Sequence, residues 1–271
     1  MADENRMITF QYARNNWDQY KKQTIPDSLE CMTKTDIINY LNANANPLST
    51  YGINQLVPRS RFTPLVGFNI GTGFDNLINT IVLQPDGKIL VGGYFTIYNY
   101  ASQNRLVRLN SHGPRDTSFN IGTGFDNLVY SIVLQPDGKI LVGGYFTTFN
   151  GNAQNRLIRL NPDGTKDTSF NIDTGFDDWV NPIVLQPDGK ILVGGYFTTF
   201  NGNTQNKLVR LNSHGPRDTS FNIGTGFNDW VNSIALQPDG KILVGGQFTT
   251  FNGNAQNYLV RLNSDGTKDS I

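Results

Sequence analysis

Histidine, cysteine and aspartate are the side chains here best suited to chemistry, and their spacing decides what chemistry is open to them. His112 and His214 are the only histidines, in two copies of one Ser-His-Gly-Pro turn. A catalytic or metal-binding histidine needs partners that converge on it. None recurs beside these two, and both read as turn residues tolerant of unusual φ. Cys31 follows Glu30 with no histidine near it. Nucleophilic catalysis needs an activating base, so Cys31 reads as a small, half-buried hydrophobe. Gly71-Thr72-Gly73 has the look of a phosphate loop, but a phosphate cradle opens a helix, and a strand-like run follows here. Asp75, Asp126, Asp177 and Asp178, with turn aspartates such as Asp86, offer oxygens to calcium. Calcium takes about six or more converging ligands, and the spaced Asp-x-Asp-x-Asp loop is absent. The expectation is no catalytic set, no metal and no cofactor.

Aromatic residues offer adhesion by flat faces. Trp179 and Trp230 occupy a position held by Leu77 and Leu128 earlier in the chain. Tryptophan faces stack on sugar rings or anchor a protein interface. They also fill a core, as leucine does at the same position, and both readings stay open. Tyr94, Tyr145 and Tyr196 give way to Gln247 in the last copy, which places them near a surface or a channel mouth. These five aromatics are the candidate binding residues. Arg105 and Arg108, with their counterparts, form a regular basic rank offset by Asp116-type residues, which points to structural pairing within each repeat.

These residues are positioned by a repeat. Gln-Pro-Asp-Gly begins at Gln84, Gln135, Gln186 and Gln237, each 51 residues after the last. Residues 119–169 and 170–220 are identical at 39 of 51 positions. In the first copy, Leu77–Leu83 is rich in β-branched and apolar residues, Pro85-Asp86-Gly87 has turn chemistry, and Lys88–Phe95 returns as a hairpin. Ile89-Leu90-Val91 does not alternate, so this strand is expected to be covered on both faces. A polar loop over Thr96–Gln103 leads to a third strand at Asn104–Leu109. Ser118–Ile121 is a weak fourth strand. Three or four strands in about 50 residues match one propeller blade. A β-solenoid is the competitor, but its parallel coils do not suit hairpins.

The motifs Leu-Gln-Pro-Asp-Gly-Lys-Ile-Leu-Val-Gly-Gly, Arg-Leu-Asn-x-Asp-Gly and Asp-Thr-Ser-Phe closely resemble the delta-60 repeat, a propeller-forming repeat of bacterial and phage-like proteins. The resemblance covers residues 68–271. It implies an all-β fold, a β-propeller of four 51-residue repeats. These form four blades, or half of a larger ring completed by oligomerisation.

Residues 1–66 differ in composition, with no glycine before Gly52. Met7–Tyr12 alternates as a strand does, and Thr35–Leu41 has a helix cap with Ile37 and Leu41 on one face. This reads as a small mixed α/β attachment region, followed by the propeller over 67–271. The stretch from Glu30 to Ser60 resembles N-terminal modules of Bacteroidetes phage and surface proteins. Lys+Arg and Asp+Glu balance at 22 each, so no field steers the chain onto nucleic acid. No apolar run reaches the roughly 18 residues of a membrane span, and the charged start Met1–Met7 reads as lacking an export signal. The function expected is that of a non-enzymatic structural and binding protein, a phage virion component such as a fibre, decoration or tail-associated protein. It would form homo-oligomers, attach to other virion proteins through its N-terminal region, and display the propeller to a host-surface glycan or protein. The alternatives are a bacterial surface adhesion protein and, behind it, a glycan-active enzyme with paired carboxylates.

Overall fold

The computed structural model describes residues 67–270, of which the stretch from Asn69 onward belongs to one compact unit. The strand expected at Met7–Tyr12, the helix at Thr35–Leu41 and the site of Cys31 lie outside the described residues.

Each repeat folds into the same five strands. Blade 1 consists of β1 (Ile78–Leu83), β2 (Ile89–Gly93), β3 (Ile97–Tyr98), β4 (Ala101–Ser102) and β5 (Leu106–Leu109). Blade 2 repeats them as β6 (Val129–Leu134), β7 (Ile140–Gly144), β8 (Thr148–Phe149), β9 (Asn152–Ala153) and β10 (Leu157–Leu160). Blade 3 runs β11 (Val180–Leu185), β12 (Ile191–Gly195), β13 (Thr199–Phe200), β14 (Asn203–Thr204) and β15 (Leu208–Leu211). Blade 4 runs β16 (Val231–Leu236), β17 (Ile242–Gly246), β18 (Thr250–Phe251), β19 (Asn254–Ala255) and β20 (Leu259–Leu262). The first, second and fifth strands form an antiparallel sheet with the second in the middle, as in the order β1-β2-β5. The turn between the first two strands is set by its residues. The Gly87 N–H donates to the Gln84 carbonyl at 2.9 Å, the Lys88 N–H donates to Asp86 Oδ1 at 3.1 Å, and Gly87 takes a φ of 82°, which costs glycine little.

The expected coverage of the middle strand holds. Leu90, Val91, Leu141, Val142, Leu192 and Val193 are buried, so a continuous apolar run serves here where alternation serves a one-sided strand. Two expectations change. The polar loop at Thr96–Gln103 contains a small hairpin, β3 with β4, pairing Ile97 with Ser102 and Tyr98 with Ala101. Ser118–Ile121 is not a strand; beyond the fifth strand of each blade the chain makes a single bridge back to it, Leu109 with Arg115 in blade 1. Phe119 and Ile121 instead fill the core of blade 2. Their apolar types gave a strand signal for what is an irregular connection that plugs the next blade.

Successive blades stack by inserting leucines. Leu90 and Leu106 of blade 1 join the core of blade 2, Leu141 and Leu157 that of blade 3, and Leu192 and Leu208 that of blade 4. The first strands pack side by side, β1 with β6, β6 with β11 and β11 with β16, and no comparable packing returns from β16 to β1.

Candidate functional site

The candidate aromatics gather at one end of the blades. In each blade the residue after the second strand pairs with the residue before the first, at the end of the hairpin opposite the Gln-Pro-Asp-Gly turn. The N–H of Tyr94 donates to the Leu77 carbonyl (2.8 Å), that of Tyr145 to Leu128 (2.9 Å), that of Tyr196 to Trp179 (3.0 Å) and that of Gln247 to Trp230 (2.8 Å). The repeat register thus makes a rim of the Trp/Leu and Tyr/Gln positions.

Along this rim the rings touch across blades. Trp179 of blade 3 lies 5.7 Å from Tyr130 and 5.2 Å from Tyr145, both of blade 2, and 5.3 Å from Trp230 of blade 4. Tyr196 lies 6.1 Å from Trp230. Trp179, Trp230 and Tyr145 are half-buried, while Tyr94 and Tyr196 are exposed. The tryptophans therefore help hold neighbouring blades together and also present part of their surface to solvent.

The tyrosines carry a cation on one face. Arg105 lies over Tyr94 at 4.7 Å from the ring centre, Arg156 over Tyr145 at 4.4 Å, and the Lys207 ammonium over Tyr196 at 4.3 Å. The same cations donate to the carbonyls of those tyrosines, Arg156 Nη1 at 2.7 Å and Lys207 Nζ at 2.9 Å. Burial pushes the Lys207 ammonium down from its ordinary range, against the pull of Asp229, Asp177 and Asp178. Arg105, Arg156, Lys207 and Tyr258 all take positive φ, from 62° to 68°. Non-glycine residues take it rarely, and neither this backbone nor the part played by Tyr130 was legible from residue types. The fourth blade lacks this cation–tyrosine pair, with Gln247 where the tyrosine stands and Tyr258 where the cation stands.

The carboxylates considered for calcium serve the backbone. Asp126 accepts from the N–H groups of Thr147 and Thr148, both at 2.9 Å, and from the Thr147 hydroxyl at 2.6 Å; Asp75 and Asp177 do the same in their blades. Asp178 accepts from the Trp179 N–H at 2.8 Å. Asp116 meets Arg108 Nε at 2.7 Å and Lys88 Nζ at 3.1 Å. Burial opposes its ionisation, but the Ser118 hydroxyl and N–H, Lys88 and Arg108 outweigh it and hold the carboxyl well below the usual range. Arg108 so pairs within its blade as expected, whereas Arg105 reaches a tyrosine face instead of a carboxylate. His112 and His214 are exposed in their turns, and the unusual φ falls on the following glycines, Gly113 and Gly215. No group of three or more potential metal ligands occurs among the described residues.

A family model described as a domain of unknown function, the DUF5122 beta-propeller, matches residues 84–119, 135–170, 186–221 and 237–270. Together these spans make up just over half of the chain. The chain belongs to the DUF5122 beta-propeller family. Each match begins at the Gln-Pro-Asp-Gly turn and runs to the plug phenylalanine, or in the fourth copy to Ser270, so the matched spans hold that turn, the second to fifth strands and the second turn, and leave out the first strand of each blade. The rim residues Leu77, Leu128, Trp179 and Trp230 fall outside the matched spans. No curated protein matches the sequence. Among solved structures, one assigned as a gluconolactonase is 18% identical, with a TM-score of 0.43, covering 70% of this chain and 61% of its own. A gluconolactonase of Xanthomonas campestris is 13% identical, with a TM-score of 0.42 and coverages of 70% and 60%. The WD40 propeller domain of Doa1 is 12% identical, with a TM-score of 0.36 and coverages of 71% and 77%. The chain thus spans about three fifths of the gluconolactonase structures, and overlaps of this size carry no chemistry across.

Proposed function

We propose that this DUF5122 propeller is a non-enzymatic binding module whose aromatic rim adheres to a glycan or protein surface. The observation that carries this reading is the rim itself: Tyr130, Tyr145, Trp179, Tyr196 and Trp230, from three successive blades, meet along one end of the blades. Rings that remain partly open to solvent supply large, rigid contact area at little entropic cost. Repetition along the array gives several weak contacts at once, which multiplies affinity when they engage together. The neighbouring carboxylates are occupied by backbone and cation partners, which favours adhesion over acid–base chemistry at this end.

The setting we propose is a phage particle, with the compositionally distinct residues 1–66 joining the propeller to other virion proteins and the rim facing a host surface. Mass spectrometry of purified particles tests the setting, and absence of the protein there ends it. An array of bacterial surface polysaccharides, probed with the full chain, tests the rim. Trp179→Ala and Trp230→Ala are each expected to lower binding at least ten-fold. Tyr196→Gln, the residue that blade 4 already carries at this position, is expected to weaken binding while the melting temperature stays within a few degrees. Binding that survives all three changes places the ligand site elsewhere.

A further inference from the structure

The two ends of the blade array are the two halves of its own internal interface, left open. Inside the array, Leu106, Leu157 and Leu208 are 0% exposed in the core of the following blade, but their counterpart in blade 4, Leu259, is 57% exposed. On the receiving side, Val129 and Ile132 of blade 2 are 0% and 5% exposed, whereas their counterparts in blade 1, Ile78 and Ile81, are 41% and 63% exposed. One end offers the knobs and the other the hole.

Polar stitching stops in the same register. Arg108 Nη1 donates to the Pro162 carbonyl at 2.6 Å, and Arg159 and Arg210 donate to the Ser213 and Ser264 carbonyls at 2.5 Å. Arg261 continues the series and keeps its pairing with Asp269 at 2.6 Å, but among the described residues no following blade supplies a carbonyl. Ser111 holds, in blade 1, the position of Pro162, Ser213 and Ser264. Likewise Asn104, Asn155 and Asn206 donate through Nδ2 to the carbonyls of Thr123, Thr174 and Thr225, at 2.8, 2.7 and 2.8 Å. Asn257 is the next donor in this series, and Thr72 stands at the acceptor position of blade 1.

A glycine supplies an independent mark. A Cβ on Gly92 would lie 2.6 Å from Val129 of the next blade, and one on Gly143 would lie 2.7 Å from Ile183. Glycine is required there by close approach. The fourth member, Gly245, would meet Ser233 at 3.6 Å and the Tyr258 carbonyl at 3.7 Å, both ordinary contacts within its own blade. Its backbone is not in the left-handed region, so within one chain neither space nor φ demands glycine at 245.

We propose that two copies of this chain join head to tail, blade 4 of one against blade 1 of the other, and close a ring of eight blades. The contact is a continuation of the three internal interfaces, with the same leucines, the same arginine and asparagine donors, and the same glycine. A head-to-tail contact either closes or grows without end. Two chains of four blades give eight, the upper end of the usual propeller range of about four to eight. The second copy is favoured over any other occupant because each open group on one end has its known mate on the other.

Sedimentation of the full chain at micromolar concentration tests this. The expected mass is twice 30.1 kDa. Ile81→Asp and Leu259→Asp change exposed residues and are each expected to give folded monomers by circular dichroism. Mixed one to one they are expected to form a dimer again, because one intact blade 4 end and one intact blade 1 end remain in the mixture. Gly245→Ala is expected to weaken dimerisation at least ten-fold with an unchanged fold, since its Cβ would meet the partner's blade 1. Monomeric wild-type protein, an open-ended series of larger species, or dimers that persist in the single variants would each overturn the proposal. The first result would point to another cover for blade 1, such as residues 1–66.

Discussion

Asp167 is held between Lys139 at 3.0 Å and Arg159 at 2.7 Å, with the Ser169 hydroxyl donating to its other oxygen at 2.7 Å. Arg159 in turn covers the Phe170 ring at 4.7 Å and reaches the Ser213 carbonyl of the next blade. One carboxylate therefore anchors both its own blade and the stacking of the following one. Removing one partner from a buried ion pair typically costs about 3–5 kcal/mol, so Asp167→Asn is expected to lower stability by about that amount in denaturant titration. The pH dependence follows in sign. The folded carboxyls of Asp116, Asp167 and Asp218 lie well below their unfolded value, which is about 3.9. Their contribution is complete above that value and is lost as pH falls through and below it. Thermal melts between pH 7 and pH 3 are expected to show a falling midpoint, with a shallower fall in Asp167→Asn. A midpoint that does not change with pH would remove these aspartates from the account.

At the scale of the strand, each blade gains its hold on the next through two leucines. Leu157 is fully buried within the core of blade 3, and Leu→Ala in such a site costs about 2–5 kcal/mol. Leu157→Ala is expected to lower stability by that amount. Leu259→Ala, the same change on an exposed strand, is expected to cost under about 1 kcal/mol in a monomer; equal losses at the two positions would contradict the open end of blade 4. The hairpins are legible from β-branched and apolar runs on either side of a turn, because Pro-Asp-Gly sets its backbone locally. The β3–β4 hairpin escaped that reading, since two-residue strands are too short to show a period. The plug at Phe119–Ile121 was misread as a strand because an apolar pair carries no sign of which blade it enters.

At the scale of the whole array, stability is a sum over blades and the interfaces between them. Blades 2 and 3 are covered on both sides and blade 1 on one, so local opening is cheapest at the end. In the monomeric Leu259→Asp variant, amides of β1 are expected to exchange with solvent faster than those of β6 and β11, as read by hydrogen-exchange mass spectrometry. Uniform protection across the four blades would instead mean that blade 1 is covered.

The four-fold repeat, its β character, its turns and the pairing of Arg108 with Asp116 follow from residue type and spacing, because turn residues and apolar runs act over a few residues. Trp179 and Trp230 were legible as unusual, standing where leucine stands in the first two blades. Only the tertiary structure brought Trp179 against Tyr130 and Tyr145, and Trp230 against Trp179 and Tyr196, since those contacts join neighbouring blades. It also decided that Asp75, Asp126 and Asp177 spend their oxygens on threonine and backbone donors. The open ends were beyond the sequence for the same reason. Leu259 is the same residue type in the same motif as Leu106, and only the presence or absence of a following blade makes one of them core and the other surface.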